Sequence, residues 1–155
     1  MKDYKQAAIR GADMFPNTKP YDRDNAPVIM IVEDNYLNMK LFRDLLACIN
    51  CKIVSTHTAY NAIELTRTYK PDVILMDIQL DGISGVDLIS FMKNDSELKH
   101  IPIVAISAFA MQGEQETIRA AGCDDYLPKP ISIEHFFAIV TSYCKAYDSD
   151  NTSGR

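Results

Sequence analysis

The sequence predicts an α/β protein with one five-stranded parallel sheet flanked by five helices. Three observations carry that expectation. Short apolar runs alternate strictly with segments of helical period, the pattern of successive βα units with right-handed crossovers. Several runs are apolar at every position rather than at every second one, as in strands covered on both faces. A chain of 155 residues suits one domain and buries enough surface to fold without disulfide or metal staples.

The elements follow in order. Val28 to Val32 is an uninterrupted apolar run and reads as the first strand. From Asn35, the residues Leu37, Leu41, Phe42, Leu45 and Leu46 keep helical spacing, which predicts an amphipathic helix with those side chains inward. Cys51 to Ser55 is a weaker strand. Thr58 is placed to N-cap a helix carrying Ala62, Ile63, Leu65 and Thr66, closed before Pro71. Asp72 to Met76 is a strong strand. Ser84-x-x-Asp87 has the form of a capping box and opens a helix through Val86, Leu88, Ile89 and Met92. Ile101 to Ile106 is the fourth strand, residues 111–121 a helix, and Asp124 to Leu127 a short fifth strand. Ser132 caps the last helix, which bears Phe136, Phe137, Ile139, Val140 and Tyr143. Residues 1–26 are polar, contain Pro16 and Pro20 and lack periodicity, so they read as a flexible extension to a domain at 27–147; residues 148–155 form a polar tail.

Composition narrows the function classes. Apolar residues make up 47% and charged residues 24%, the ordinary globular mix. The net charge of −5 does not supply the phosphate-neutralising surface that nucleic-acid binding needs. No stretch approaches the roughly 18–20 apolar residues of a membrane helix, and the N-terminus carries charges where a signal peptide has its apolar core. The expectation is a cytoplasmic protein with reduced thiols and no membrane insertion. Cys48 and Cys51 form a C-x-x-C at the C-terminal end of a helix, where the dipole opposes a reactive thiolate. No phosphate-cradling glycine motif for nucleotides is present.

In a parallel sheet, ligands bind beyond the carboxyl ends of the strands. Glu33 and Asp34 follow the first strand, Asp77 the third and Ser107 the fourth, while Lys129 stands two residues past the fifth. Taken singly, each has an ordinary structural explanation: an acidic helix start, a strand-terminal Asp, a core hydroxyl, a loop lysine. Their convergence on one rim points to chemistry. Clustered carboxylates repel, a lysine offsets part of that, and oxygen-only donors suit Mg²⁺. Asp77 is then the candidate nucleophile toward phosphorus.

The segments IVEDN (31–35), ILMDIQLDGISG (74–85), VAISAFA (104–110) and DDYLPKP (124–130) resemble the receiver domain of two-component response regulators. The likeness runs over about residues 27 to 146 and is nearest to the family's stand-alone cell-division and polarity regulators. The resemblance implies a flavodoxin-like sheet of order 2-1-3-4-5 and Asp77 as phosphoacceptor. It implies Mg²⁺ held by Glu33 (through water), Asp34, Asp77 and the backbone carbonyl of Gln79. It also implies Lys129 paired with the phosphoryl group before a cis Lys129–Pro130 bond, with Ser107 as the switch hydroxyl and Tyr126 as the aromatic switch. The partners implied are sensor histidine kinases and phosphatases and other response regulators, with recruitment to cell poles through them. On this reading the chain is a regulatory phosphoacceptor that promotes its own phosphotransfer and dephosphorylation. With about nine residues after the last helix, its output is protein–protein contact.

Two features depart from or refine that pattern. Asp81 stands where the family usually has proline. Phe109, two residues past the switch hydroxyl, offers no hydrogen-bond acceptor for a hydrolytic water, whereas Gln79 could hold one; shielding by Phe109 is expected to dominate, which predicts a long-lived phosphorylated form. Two rival readings remain at this point. An Asp-nucleophile phosphatase or phosphotransferase would carry a second Asp two residues after the first, where this chain has Gln79. A flavodoxin-like electron carrier would need a Ser/Thr-rich loop where Glu33-Asp34-Asn35 stands.

Overall fold

Alternate residues of an extended strand face opposite ways, so an all-apolar run feeds two cores at once. In the computed structural model, which describes residues 25–108 and 112–144, the sheet divides its side chains in this way. Strands β1 (Val28–Val32), β2 (Lys52–Thr56), β3 (Val73–Asp77), β4 (Ile103–Ser107) and β5 (Asp125–Pro128) lie parallel in the order β2-β1-β3-β4-β5. Ile29, Ile31, Val73, Leu75, Val104 and Ile106 project into one core; Met30, Val32, Ile74, Met76, Ile103 and Ala105 project into the other.

Helices α1 (Tyr36–Leu46) and α5 (Ile133–Tyr143) close the first core, where the rings of Phe42 and Phe136 stack 6.0 Å apart. Helices α2 (Ala59–Tyr69) and α3 (Gly85–Asn94) close the second, with Ile118 of α4 (Gln112–Ala120). Each of the largest buried side chains contributes about 1.5–3 kcal/mol. Two caps are those expected: Thr58 accepts from the amide of Asn61 and Ser132 from that of His135. A further cap is Asn35, whose Oδ1 accepts from the amides of Leu37 and Asn38. Ser84 closes on Val86 rather than on Asp87. Lys70, at φ 45°, ends α2 in the left-handed conformation before Pro71.

Two expectations need correction. The buried stripe of α1 runs through Met39, Phe42 and Leu46, while Leu37 is 78% and Leu41 43% exposed. The sheet meets the helix along the i, i+3, i+7 line, so Leu37 and Leu41 fall on the opposite side, while Leu45 packs partly buried at the edge of the core. Strand bounds also shift by one or two residues, so that Asp77 and Ser107 are the last residues of β3 and β4 rather than the first beyond them. The expected extension and tail, 1–26 and 148–155, lie outside the described residues except for Asn25 and Ala26.

A half-buried lysine ties the second layer to the sheet. Lys93 Nζ donates to the carbonyl of Ile101 at 2.9 Å and to Asp124 Oδ2 at 2.6 Å, and the same Asp124 oxygen accepts from Ile103 N. Replacing Lys93 with Met leaves these acceptors short of a donor. We expect a loss of about 1–3 kcal/mol, read from the midpoint of urea unfolding.

Candidate functional site

The acidic turn is built by the departure of the chain from β1. The β1–β2 ladder ends at Val32↔Thr56, and Glu33 N still donates to the carbonyl of Thr56 at 3.1 Å. Asn35 then caps α1 and gives its own N–H to Glu33 Oε1 at 3.0 Å. That closes a tight Glu33-Asp34-Asn35 turn over the sheet edge. Glu33 is wholly buried, and among the described residues its Oε2 has no hydrogen-bond donor. Asp34 Oδ2 accepts from the backbone N–H of Asp81 at 2.9 Å, tying the β1 turn to the β3–α3 loop.

Asp77 faces that turn from β3. It is 3% exposed; Oδ1 accepts from the Gln79 amide at 2.9 Å and Oδ2 from Lys129 Nζ at 3.1 Å. Lys129 also stands 3.7 Å from Glu33 Oε2. Its backbone N–H is anchored to the carbonyl of Ser107 at 2.8 Å, and the Lys129–Pro130 bond is cis. Carboxylate oxygens of Glu33, Asp34 and Asp77 lie within 4.8 Å of one another. Burial first, and then the Asp77 carboxylate beside it, pushes the Glu33 carboxyl up to about 7, against the lowering effect of the Asn35 N–H and of Lys129.

The structure thus brings Glu33, Asp34, Asp77 and Lys129 together as one charge cluster. Ser107 is buried at the end of β4, paired in register with Pro128, on the rim where β3 pairs Asp77 with Ile106. Tyr126 is half-buried on β5, its hydroxyl 3.5 Å from the Ser107 carbonyl. Gln79 reaches the cluster through its backbone N–H, which donates to Asp77 Oδ1. Phe109 lies outside the described residues.

Sequence reasoning left three contributors unassigned. Asn35 fixes both the Glu33 carboxylate and the start of α1, and an Asn ahead of a helical period could have signalled this. Gly85, at the start of α3, packs against the backbone of Asp77 and Ile78 so closely that a Cβ would overlap the Asp77 carbonyl and lie 2.6 Å from Ile78 Cα. His57, after β2, reaches the carbonyl of Glu33; nothing in its spacing marks it.

Residues 29–141 match the response regulator receiver domain family. The chain belongs to that family. Its receiver domain is 49% identical over 115 residues to the polar-differentiation response regulator DivK of Brucella anthropi, covering 74% of this chain and 94% of that one. Among solved structures, the receiver domain of a sensor histidine kinase from Pseudomonas aeruginosa, which has a magnesium ion coordinated in its active-site cleft, superposes with a TM-score of 0.70 at 26% identity. That match spans 76% of this chain and 97% of the other. The phosphorylated cyanobacterial phytochrome response regulator RcpA superposes with a TM-score of 0.65 at 25% identity, over 76% and 90% of the two chains. The flavodoxin-like order expected for the receiver sheet is the order observed.

The donor set fits a hard divalent cation. Among the described residues all candidate ligands are oxygens, three carboxylates face a single ammonium, and the buried Glu33 Oε2 lacks a donor. Burial, and then proximity to Cys144, pushes the Cys51 thiol up to about 12, and burial pushes Cys144 up to about 11, so these two are held away from the thiolate that redox chemistry needs. No helix among the described residues is long and apolar enough to cross a membrane.

Proposed function

We propose that Asp77 accepts a phosphoryl group from the phosphohistidine of a sensor kinase. The observation that carries this reading is the arrangement of the Asp77 carboxylate. It ends the central strand, with one oxygen held by the Gln79 amide and the other by Lys129, opposite Glu33 and Asp34. In the transfer an Asp77 oxygen bonds to phosphorus as the P–N bond to the donor imidazole breaks. The imidazole leaves with the electron pair and is protonated by solvent. Lys129, fixed at its backbone by the Ser107 carbonyl, stays beside the new phosphoryl oxygens and pairs with them.

Glu33, Asp34, Asp77 and the Gln79 carbonyl are the residues that would hold Mg²⁺. When bound, the ion neutralises the carboxylates and the charge on the transferring oxygens. Ser107 supplies a hydroxyl donor to the phosphoryl group, and Tyr126 follows it. Tyr126 lines a groove of about 610 Å³ with Arg119, Asp125, Pro128 and His135, so its movement changes a surface that a partner can read. Partners are sensor kinases and phosphatases and other response regulators. By likeness to the polar-differentiation regulators, the role is in cell polarity and division, with recruitment to the poles through those partners.

The reading is tested by exposing the protein to a small phosphodonor such as acetyl phosphate, with Mg²⁺ or with chelator. One acid-labile phosphoryl group per chain is expected with Mg²⁺ and none with chelator; equal uptake in chelator contradicts it. Ser107→Ala is expected to keep phosphoryl uptake and to lose the phosphorylation-dependent change in the Tyr126 ring signals, measured by NMR.

A further inference from the structure

Beyond the sheet edge the carbonyl of Glu33 has no strand partner, because β2 ends opposite Val32. His57, the first residue after β2, takes that place: its Nδ1 lies 3.0 Å from the Glu33 carbonyl. A carbonyl only accepts, so Nδ1 carries the hydrogen. The imidazole is exposed and stacks on the ring of Tyr36, the first residue of α1, also exposed, at 4.6 Å and 29°. Both backbone groups of Glu33 are therefore pinned to the β2 end, the N–H by Thr56 O and the C=O by His57. The Glu33–Asp34 peptide plane follows, and with it the direction in which both carboxylates leave the chain.

The geometry points to His57 as a positioning residue for the cation site. Its Nδ1–H orients the acidic turn, so that Glu33 and Asp34 are set for a divalent ion before one arrives. This rests on the reading of the acidic cluster as an Mg²⁺ site. Groups that orient metal ligands typically matter by about 10–100-fold in affinity when removed. His57 occupies that station through the main chain rather than through a side-chain ligand.

Two variants separate the donor from the ring. His57→Phe keeps a ring to stack on Tyr36 and removes the donor. His57→Asn places an amide N–H the same number of bonds from Cα as Nδ1 and removes the ring. Mg²⁺ alone is titrated calorimetrically into the full chain at fixed pH, with urea unfolding in chelator measured alongside. His57→Phe is expected to bind Mg²⁺ about 10-fold more weakly, His57→Asn to bind close to wild type, and both to unfold in chelator at the wild-type midpoint. Unchanged affinity in His57→Phe overturns the inference, as does an equal loss in both variants. A loss that tracks a lowered midpoint in chelator overturns it too. Absence of Mg²⁺ binding by the wild type overturns the metal reading itself.

Discussion

Changing Glu33 to Gln and Asp34 to Asn together is expected to abolish Mg²⁺-dependent phosphorylation without unfolding the protein. Both replacements keep the side-chain shape and remove charges that face Asp77 within 4.8 Å. In the wild type, three carboxylates share one ammonium, and Glu33 is buried with an oxygen that finds no donor. A cation relieves this arrangement, and by mass action a ligand at 100 times its dissociation constant stabilises the fold by about 2.7 kcal/mol. The double variant has no such increment to gain. Its melting temperature in chelator is expected to equal or exceed that of the wild type, because buried like charges have been removed, and added Mg²⁺ is expected to leave it unmoved. Calorimetric melting with and without Mg²⁺, run beside phosphoryl uptake, checks both halves. A variant that still melts higher in Mg²⁺ places the ion elsewhere.

Gly85→Ala is expected to be the most damaging small substitution near the site. Helix propensity alone would favour alanine by about 1 kcal/mol, but the added Cβ has nowhere to go. It would overlap the carbonyl of Asp77 and lie 2.6 Å from Ile78 Cα. That backbone cannot yield easily, since Ile78 N bonds to the Ile106 carbonyl and Ile78 O receives the Gly85 amide, each at 3.0 Å. Either α3 moves outward or the end of β3 shifts, and the second displaces the phosphoacceptor. A loss of about 1–3 kcal/mol is expected, together with weaker phosphoryl uptake. Gly113→Ala, in α4 with no described atom outside its own helix backbone and chain neighbours within 4 Å of the new methyl, is the control and is expected to leave stability unchanged or raised by up to about 1 kcal/mol. Urea unfolding of the two variants distinguishes packing from propensity.

Most of this architecture was legible because the relevant physics is local. All-apolar runs such as Val28–Val32 read as strands covered on both faces; three of them, with the weaker strands at 52–56 and 125–128, alternate with helices and leave one arrangement of layers. The strand-end residues Glu33, Asp34, Asp77 and Lys129 were legible for the same reason: once the strands are parallel, their carboxyl ends meet. What stayed hidden depends on distance across the chain. Leu37 and Leu41 keep helical spacing, yet the stripe of α1 that packs on the sheet is the one through Met39, Phe42 and Leu46, and that is set by the docking of the helix rather than by its own period. The need for Gly85 arises from backbone eight residues earlier folding back against it. His57 reaches Glu33 only because β2 lies beside β1, and no period in its own segment records that.

Transfer from a phosphorylated histidine kinase, in Mg²⁺, to the wild type and to Asp77→Asn tests whether Asp77 receives the phosphoryl group. Intact mass and acid lability are read on both, and circular dichroism establishes that the variant is folded. The account predicts one acid-labile phosphoryl group on the wild type and none on the folded variant. Phosphorylation of Asp77→Asn at the wild-type level would contradict it.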